Sequence, residues 1–190
     1  ISIFATTCSN DQMLRTRANE LAQKFIITDG HIDTPWKLSK NYEDISVRTK
    51  TGDFDYVRAK EGGLDVPFMA IYIPSSYLET GGAKEKADSL IDMVEQIANK
   101  DPDKFEIAYS LSDANRIFKE GKVALPMGME NGAGIEDDIK NLKHFYDRGI
   151  RYITLTHSKD NLICDSSYDE EEDTWGGLSP YGREVVKEMN

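Results

Sequence analysis

Three short segments of this 190-residue sequence hold residue types that bind metal ions or move protons. In Asp29-Gly30-His31-Ile32-Asp33 a histidine and an aspartate stand two residues apart. In an extended chain both side chains project to one side while Ile32 projects to the other. An imidazole nitrogen and a carboxylate then form a two-donor grip of the kind zinc accepts; a His–Asp pair on a surface loop is the alternative. In Gly128-Met129-Glu130-Asn131-Gly132 a carboxylate sits among glycines, free of side-chain crowding. Its two oxygens can bridge two ions about 3.5–4 Å apart, although a lone glutamate in a Gly-rich turn is otherwise simply solvated. In Leu155-Thr156-His157-Ser158 a histidine closes an apolar run, where it can serve as a ligand, a substrate-binding group or a satisfied core residue. His144 stands beside apolar positions of a helical pattern and reads as structural. Glu61-Gly62-Gly63 offers flexible backbone but no chemistry of its own.

These segments need elements to hold them. Met13, Leu14, Ala18, Leu21, Ala22 and Phe25 recur at helical spacing and predict an amphipathic helix over 11–25. Phe25-Ile26-Ile27-Thr28-Asp29-Gly30 predicts a short buried strand, and residues 64–74 a second one with prolines near its ends. Helices follow over 84–99 and over Ser112 to Glu120, the latter capped by Ser112 and closed by Gly121. Val123 to Met129 is a third strand candidate, against which Pro126 counts because proline cannot donate to a central ladder. A helix over 135–149 ends at Gly149, and Tyr152-Ile153-Thr154-Leu155-Thr156 is the fourth strand. At the end of the sequence Ser179 caps a helix whose first residue is Pro180, where a missing N–H costs nothing. Strands separated by helices mean a parallel sheet with right-handed crossovers. Four strands are half of a (β/α)8 barrel, a fold of roughly 250 residues. In such a barrel chemistry sits at the C-terminal ends of the strands, where three of the four candidates carry the segments above.

Composition excludes several functions. With 39% apolar and 30% charged residues the chain is globular rather than disordered. A net charge of −11 excludes a nucleic-acid partner, which needs a basic face. The run Asp169-Glu170-Glu171-Glu172-Asp173 reads as a solvated loop. No 18-residue apolar stretch exists to span a bilayer. Two cysteines, Cys8 and Cys164, support neither a disulfide framework nor a cysteine-based zinc site. The apolar-to-small run that ends at Cys8, followed by polar residues, resembles the tail of a bacterial lipoprotein signal. That reading divides the chain into an anchor end, 1–10, and a barrel part, 11–190. A lipid on Cys8 then tethers an enzyme outside the cytoplasm, in the periplasm or cell envelope. A chance cysteine in a frayed terminus, with a cytoplasmic protein, is the alternative: Thr7 is not the preferred small residue and no charged start precedes it.

Taken together the motifs resemble the membrane (renal) dipeptidase family of zinc peptidases. The matching segments are Asp29 to Asp33, Glu61-Gly62-Gly63, Gly128 to Gly132, Gly149-Ile150-Arg151-Tyr152-Ile153-Thr154-Leu155-Thr156-His157, Asp165-Ser166-Ser167 and Gly177-Leu178-Ser179-Pro180-Tyr181-Gly182. The resemblance implies a (β/α)8 barrel of which this chain is the first half, with two Zn2+ ions joined by a glutamate. It implies His31 and Asp33 as ligands of one ion, Glu130 as the bridging and catalytic carboxylate, and His157 as the catalytic and substrate-binding histidine that stabilises the tetrahedral intermediate. Two further histidines, an arginine and an aspartate of the family pattern have no counterpart in these 190 residues, so the chain by itself is expected to be inactive. Small dipeptides are the implied substrates, and a homodimer is implied for the full-length protein. Ile32 departs from the usual asparagine, and Pro67-Phe68-Met69 departs from the usual segment after the Gly pair, which affects the pocket wall. Two rival readings are another metal-dependent amidohydrolase, such as a deaminase or dihydroorotase, and a non-catalytic lipid-anchored barrel. The amidohydrolases usually carry His-x-His where this chain has His-x-Asp.

Overall fold

The structure is a computed structural model. It describes residues 3–169 and 172–190, with side chains from Asn10 onward. Its centre is a four-stranded parallel sheet in the order β1 (Ile27–Ile32), β2 (Leu64–Tyr72), β5 (Met127–Glu130), β6 (Ile150–Thr154). Chain order and spatial order agree, as in one half of an eight-stranded barrel. Among the described residues, β1 and β6 each have a hydrogen-bonded neighbour on one side only. That is why β1, expected to be buried, is largely exposed.

The interior strands carry the core. Val66, Met69, Ala70 and Ile71 of β2 are buried, as are Met127 and Met129 of β5. Helix α5 (Ala83–Lys100) lays Ala87, Leu90, Ile91, Val94 and Ile97 against them on one stripe. Each large aliphatic side chain buried this way contributes roughly 1.5–3 kcal/mol. α7 (Lys140–Asp147) is fastened to α5 by charge as well as by Phe145. Arg148, just past its end, pairs with Asp88 at 2.9 Å and Asp92 at 2.6 Å, and His144 meets Asp88 at 2.8 Å. His144 is therefore a surface tie, as its place in the sequence suggested.

Several elements differ from the sequence reading. The helix expected over 11–25 is α1 (Ile3–Lys24), whose backbone runs through the segment read as an anchor end. The side chain of Cys8 lies outside the described residues, as do Glu170 and Glu171 of the acidic run. Met13, Leu14 and Leu21 of α1 are exposed, so its apolar face is not covered by the described residues. The single strand expected over 123–129 is two, β4 (Val123–Leu125) and β5, interrupted at Pro126. That proline donates nothing, but its carbonyl accepts from Met69 N–H at 2.8 Å. β4 pairs with β3 (Phe105–Ile107), a strand too short to show a period. α6 (Leu111–Lys119) is capped by Ser110 and not Ser112. The helix expected over 135–149 is a 3-10 turn over Gly132–Ile135 followed by α7. α8 (Pro180–Met189) starts as expected, with Ser179 Oγ accepting from Gly182 N–H at 2.8 Å.

Three short helices fill the connections: α2 (Thr34–Lys40), α3 (Tyr56–Gly62) and α4 (Tyr77–Thr80). α3 explains the Gly pair before β2. Gly63 closes that helix at φ +81°, and a Cβ there would stand 2.6 Å from the carbonyl oxygen of Ala22. Its other end is fixed by Asp55, which is fully buried. The carboxylate accepts from the backbone N–H of Arg58 (2.8 Å), from Arg58 Nε (2.7 Å) and from Thr49 N–H (3.0 Å). Burial alone would raise the pKa of this group, but those hydrogen bonds and the Arg58 charge hold it below the ordinary carboxylate value. A group with a lowered folded pKa stabilises the fold fully above its unfolded value, about 4, and loses that contribution as pH falls through its folded value. Asp55→Ala is therefore expected to cost about 2–3 kcal/mol at pH 7. Urea unfolding should show the gap to wild type narrowing as pH drops below about 4.

Candidate metal centre

The parallel order of β1, β2, β5 and β6 puts all four C-terminal ends on one edge of the sheet, and the candidate residues gather there. His31 lies within β1, which ends at Ile32, two residues beyond the expected end at Gly30, and Asp33 follows as the residue before α2. Aspartate in that position usually caps the helix with its side chain. Here it makes no capping bond, and its Oδ1 stands 3.5 Å from His31 Nε2. Glu130 closes β5, in register with Tyr72 of β2 and Thr154 of β6. Its Oε2 is 3.1 Å from His31 Nε2 and its Oε1 is 3.2 Å from His157 Nε2. His157 lies three residues beyond β6. The structure thus brings all four predicted residues together around one carboxylate.

The loop after Glu130 holds that carboxylate in place. Asn131 is buried with φ +79°, a conformation that costs a non-glycine residue energy. Its amide is tied on three sides: Nδ2 donates to Ile73 O (2.9 Å), and Oδ1 accepts from Ala133 N–H (3.2 Å) and from Asn161 Nδ2 (3.2 Å). Asn161 in turn donates to Leu155 O at 2.8 Å, joining the Glu130 loop to the His157 segment.

Donor atoms of His31, Asp33 and Glu130 all lie within 4.8 Å of one another. One imidazole and two carboxylates suit a divalent ion of the zinc type. Charge points the same way. Among the described residues, the ion-pair partners of Asp33 and Glu130 within 4 Å are His31 and His157 alone. Burial, followed by the negative charge of Glu130 and Asp33, raises the phenol pKa of Tyr72; for Tyr152, Asp29 adds to the same causes. The edge is therefore electronegative and partly apolar, and a cation there would be stabilised more than in water.

Sequence reasoning missed the aromatic lining. His157 packs against Tyr72 at 5.1 Å between ring centroids, and Tyr72 meets Trp36 edge-on at 5.1 Å. Tyr152 OH lies 2.9 Å from His31 Nδ1. One signal was available for Tyr152: Gly128, in the middle of an apolar strand, marks a point where another group approaches the backbone closely.

The sequence model of the membrane dipeptidase family (peptidase family M19) matches residues 15–190. The chain is 31% identical over 189 residues to an uncharacterized dipeptidase of Schizosaccharomyces pombe, covering 92% of this chain and 46% of that protein. It is 32% identical over 177 residues to dipeptidase tcpJ of Claviceps purpurea, covering 85% and 41%. The crystal structure of the probable dipeptidase PvdM from Pseudomonas aeruginosa aligns with a TM-score of 0.81 at 26% identity, over 93% of this chain and 47% of that one. The chain spans about half the length of the relatives it matches.

The tied amide of Asn131 can be tested apart from any activity. Asn131→Ala keeps the strained backbone and loses all three hydrogen bonds, at an expected cost of about 2–3 kcal/mol. Asn131→Gly loses the same bonds but relieves the strain, so urea unfolding should find it less damaging than alanine by about 1 kcal/mol.

Proposed function

This chain belongs to the membrane dipeptidase family, peptidase family M19, and from that premise we propose that it forms half the active site of a zinc-dependent dipeptidase. The observation that carries the reading is the convergence of His31, Asp33 and Glu130 from two strand ends onto one point. His31 and Asp33 would hold one ion. Glu130, whose two oxygens face opposite histidines, is suited to bridge it to a second. When bound, zinc supplies a water of lowered pKa and a Lewis acid for the peptide carbonyl.

The role of His157 follows from its surroundings. Its Nδ1 is buried without a hydrogen-bond partner among the described residues. A bare lone pair is tolerated there more readily than a bare N–H, so the ring proton belongs on Nε2, the nitrogen that faces Glu130. An Nε2–H at that place can turn from the carboxylate to the carbonyl oxygen of a bound dipeptide and stabilise the charge that develops on it. Tyr72 packs beside the ring at a tilt of 59° and limits its movement.

Charged partners for the free amine and carboxylate of a dipeptide would come from outside these 190 residues, and the chain made alone would be inactive. A lipid on Cys8, holding the enzyme outside the cytoplasm, belongs to the same proposal on sequence grounds. No helix among the described residues is long and apolar enough to cross a membrane.

Glu130→Gln in the intact enzyme keeps the size of the side chain and removes its charge. Zinc content should fall to a minor fraction. Dipeptide hydrolysis should fall by more than the about 10–100-fold that losing an outer-shell partner costs. A near-normal rate in this variant, or dipeptide hydrolysis by the 190-residue chain alone, would overturn the reading.

A further inference from the structure

We infer that Tyr152 is a positioning residue: its hydroxyl holds the ring of His31 so that Nε2 is presented to the metal, and it pairs with Nδ1 in either tautomer. The inference rests on the metal reading above and concerns a group that would not itself touch the ion.

The geometry is unusual for a side chain on β6. Tyr152 starts from that strand and reaches His31 on β1, with β5 and β2 lying between the two strands. Its ring crosses the backbone of β5 at Gly128, where any Cβ would overlap Cζ and Cε1 of the tyrosine. It passes Phe68 of β2 with 5.5 Å between ring centroids and ends with its hydroxyl 2.9 Å from His31 Nδ1. The missing side chain at Gly128 and the aromatic at Phe68 therefore form a track for this ring. Among the described residues Tyr152 is the hydrogen-bond partner of Nδ1, and Nε2 faces Asp33 and Glu130.

A ligand imidazole must keep a lone pair on the nitrogen that meets the metal, so its one proton must sit on the other nitrogen. Outer-shell partners of ligand histidines secure this by accepting that N–H. A tyrosine hydroxyl differs from the usual carboxylate partner because it both donates and accepts. Without metal, His31 can donate from Nε2 to Glu130 while Tyr152 O–H donates to Nδ1. With the proton moved to Nδ1, the same oxygen accepts it at the same distance. Tyr152 thus accommodates both tautomers without moving, and the site can take up or release a cation without leaving a ring nitrogen unpaired.

The test compares the intact wild type, Tyr152→Phe and His31→Ala by zinc competition with a chromophoric chelator. In parallel, protein labelled with 15N-histidine is read by NMR. Tyr152→Phe keeps the ring in its track and removes only the hydroxyl. It is expected to weaken zinc binding by about 10–100-fold, with circular dichroism unchanged. The zinc-loaded wild type should show His31 protonated at Nδ1 with the shift of a hydrogen-bonded N–H, and that signature should be lost in the variant. The wild-type spectrum tests the hydrogen bond even if the variant fails to fold. Zinc binding that depends on His31 but is equally tight in Tyr152→Phe overturns this inference and leaves the metal reading standing. Zinc binding that His31→Ala leaves unchanged overturns both.

Discussion

The carboxylate of Glu130, held between two histidines, is the constraint around which the rest of this structure is arranged. For one side chain to face His31 and His157 at once, it must stand at the end of a strand with neighbours on both sides. β5 is such a strand: β2 and β6 flank it in parallel register and lock Glu130 level with Tyr72 and Thr154. Parallel pairing between strands separated by helices then requires long crossovers, and α5 and α7 supply them with their apolar faces on the sheet. The large core under α5 does no chemistry, but it keeps the ends of β2 and β5 from shifting relative to each other.

The price of that arrangement appears just past the strand. The chain must turn sharply after Glu130, and Asn131 does so in a conformation that side chains seldom adopt. Burial of three satisfied amide contacts holds it there. The same asparagine pair reaches Leu155, so the segment carrying His157 is set by the turn that sets Glu130. Strain and hydrogen bonding are local, yet their effect is to fix the distance between a carboxylate and a histidine from different strands.

The candidate edge was legible in the sequence because its residues are ordered by a simple rule: they follow apolar runs. His31, Asp33, Glu130 and His157 all met it, and the parallel order of the four main strands followed from the helices between them. What escaped has physical reasons. β3 spans three residues and has no period to detect. α2 begins at once after Asp33 and holds a Pro and a Trp, so it reads as loop. Pro126 divides a strand that its apolar neighbours suggest is whole. Exposure of β1 depends on what lies beside it in space, and spacing within the segment carries no such information. Tyr152 lies within a matched motif that gives it no role, because its partner lies on the far strand of the sheet.

The aromatic wall and the acidic centre also explain each other. Trp36, Tyr72, Phe68 and Tyr152 bring the edge toward an apolar environment, which strengthens every charge interaction inside it. In that setting the carboxylates of Asp29, Asp33 and Glu130 gather on one edge, and the imidazoles of His31 and His157 face the last two. Asp29 accepts the backbone N–H of His31 at 3.0 Å. Asp33 and Glu130 have no lysine or arginine within 4 Å among the described residues. Lys37, the nearest basic residue in sequence, is paired with Asp53 instead. An arrangement that gathers carboxylates, pairs Lys37 with Asp53 and surrounds the result with rings favours a cation. A divalent ion there would tie residues from two strand ends to one point, so affinity for the ion and order at the strand ends would be linked.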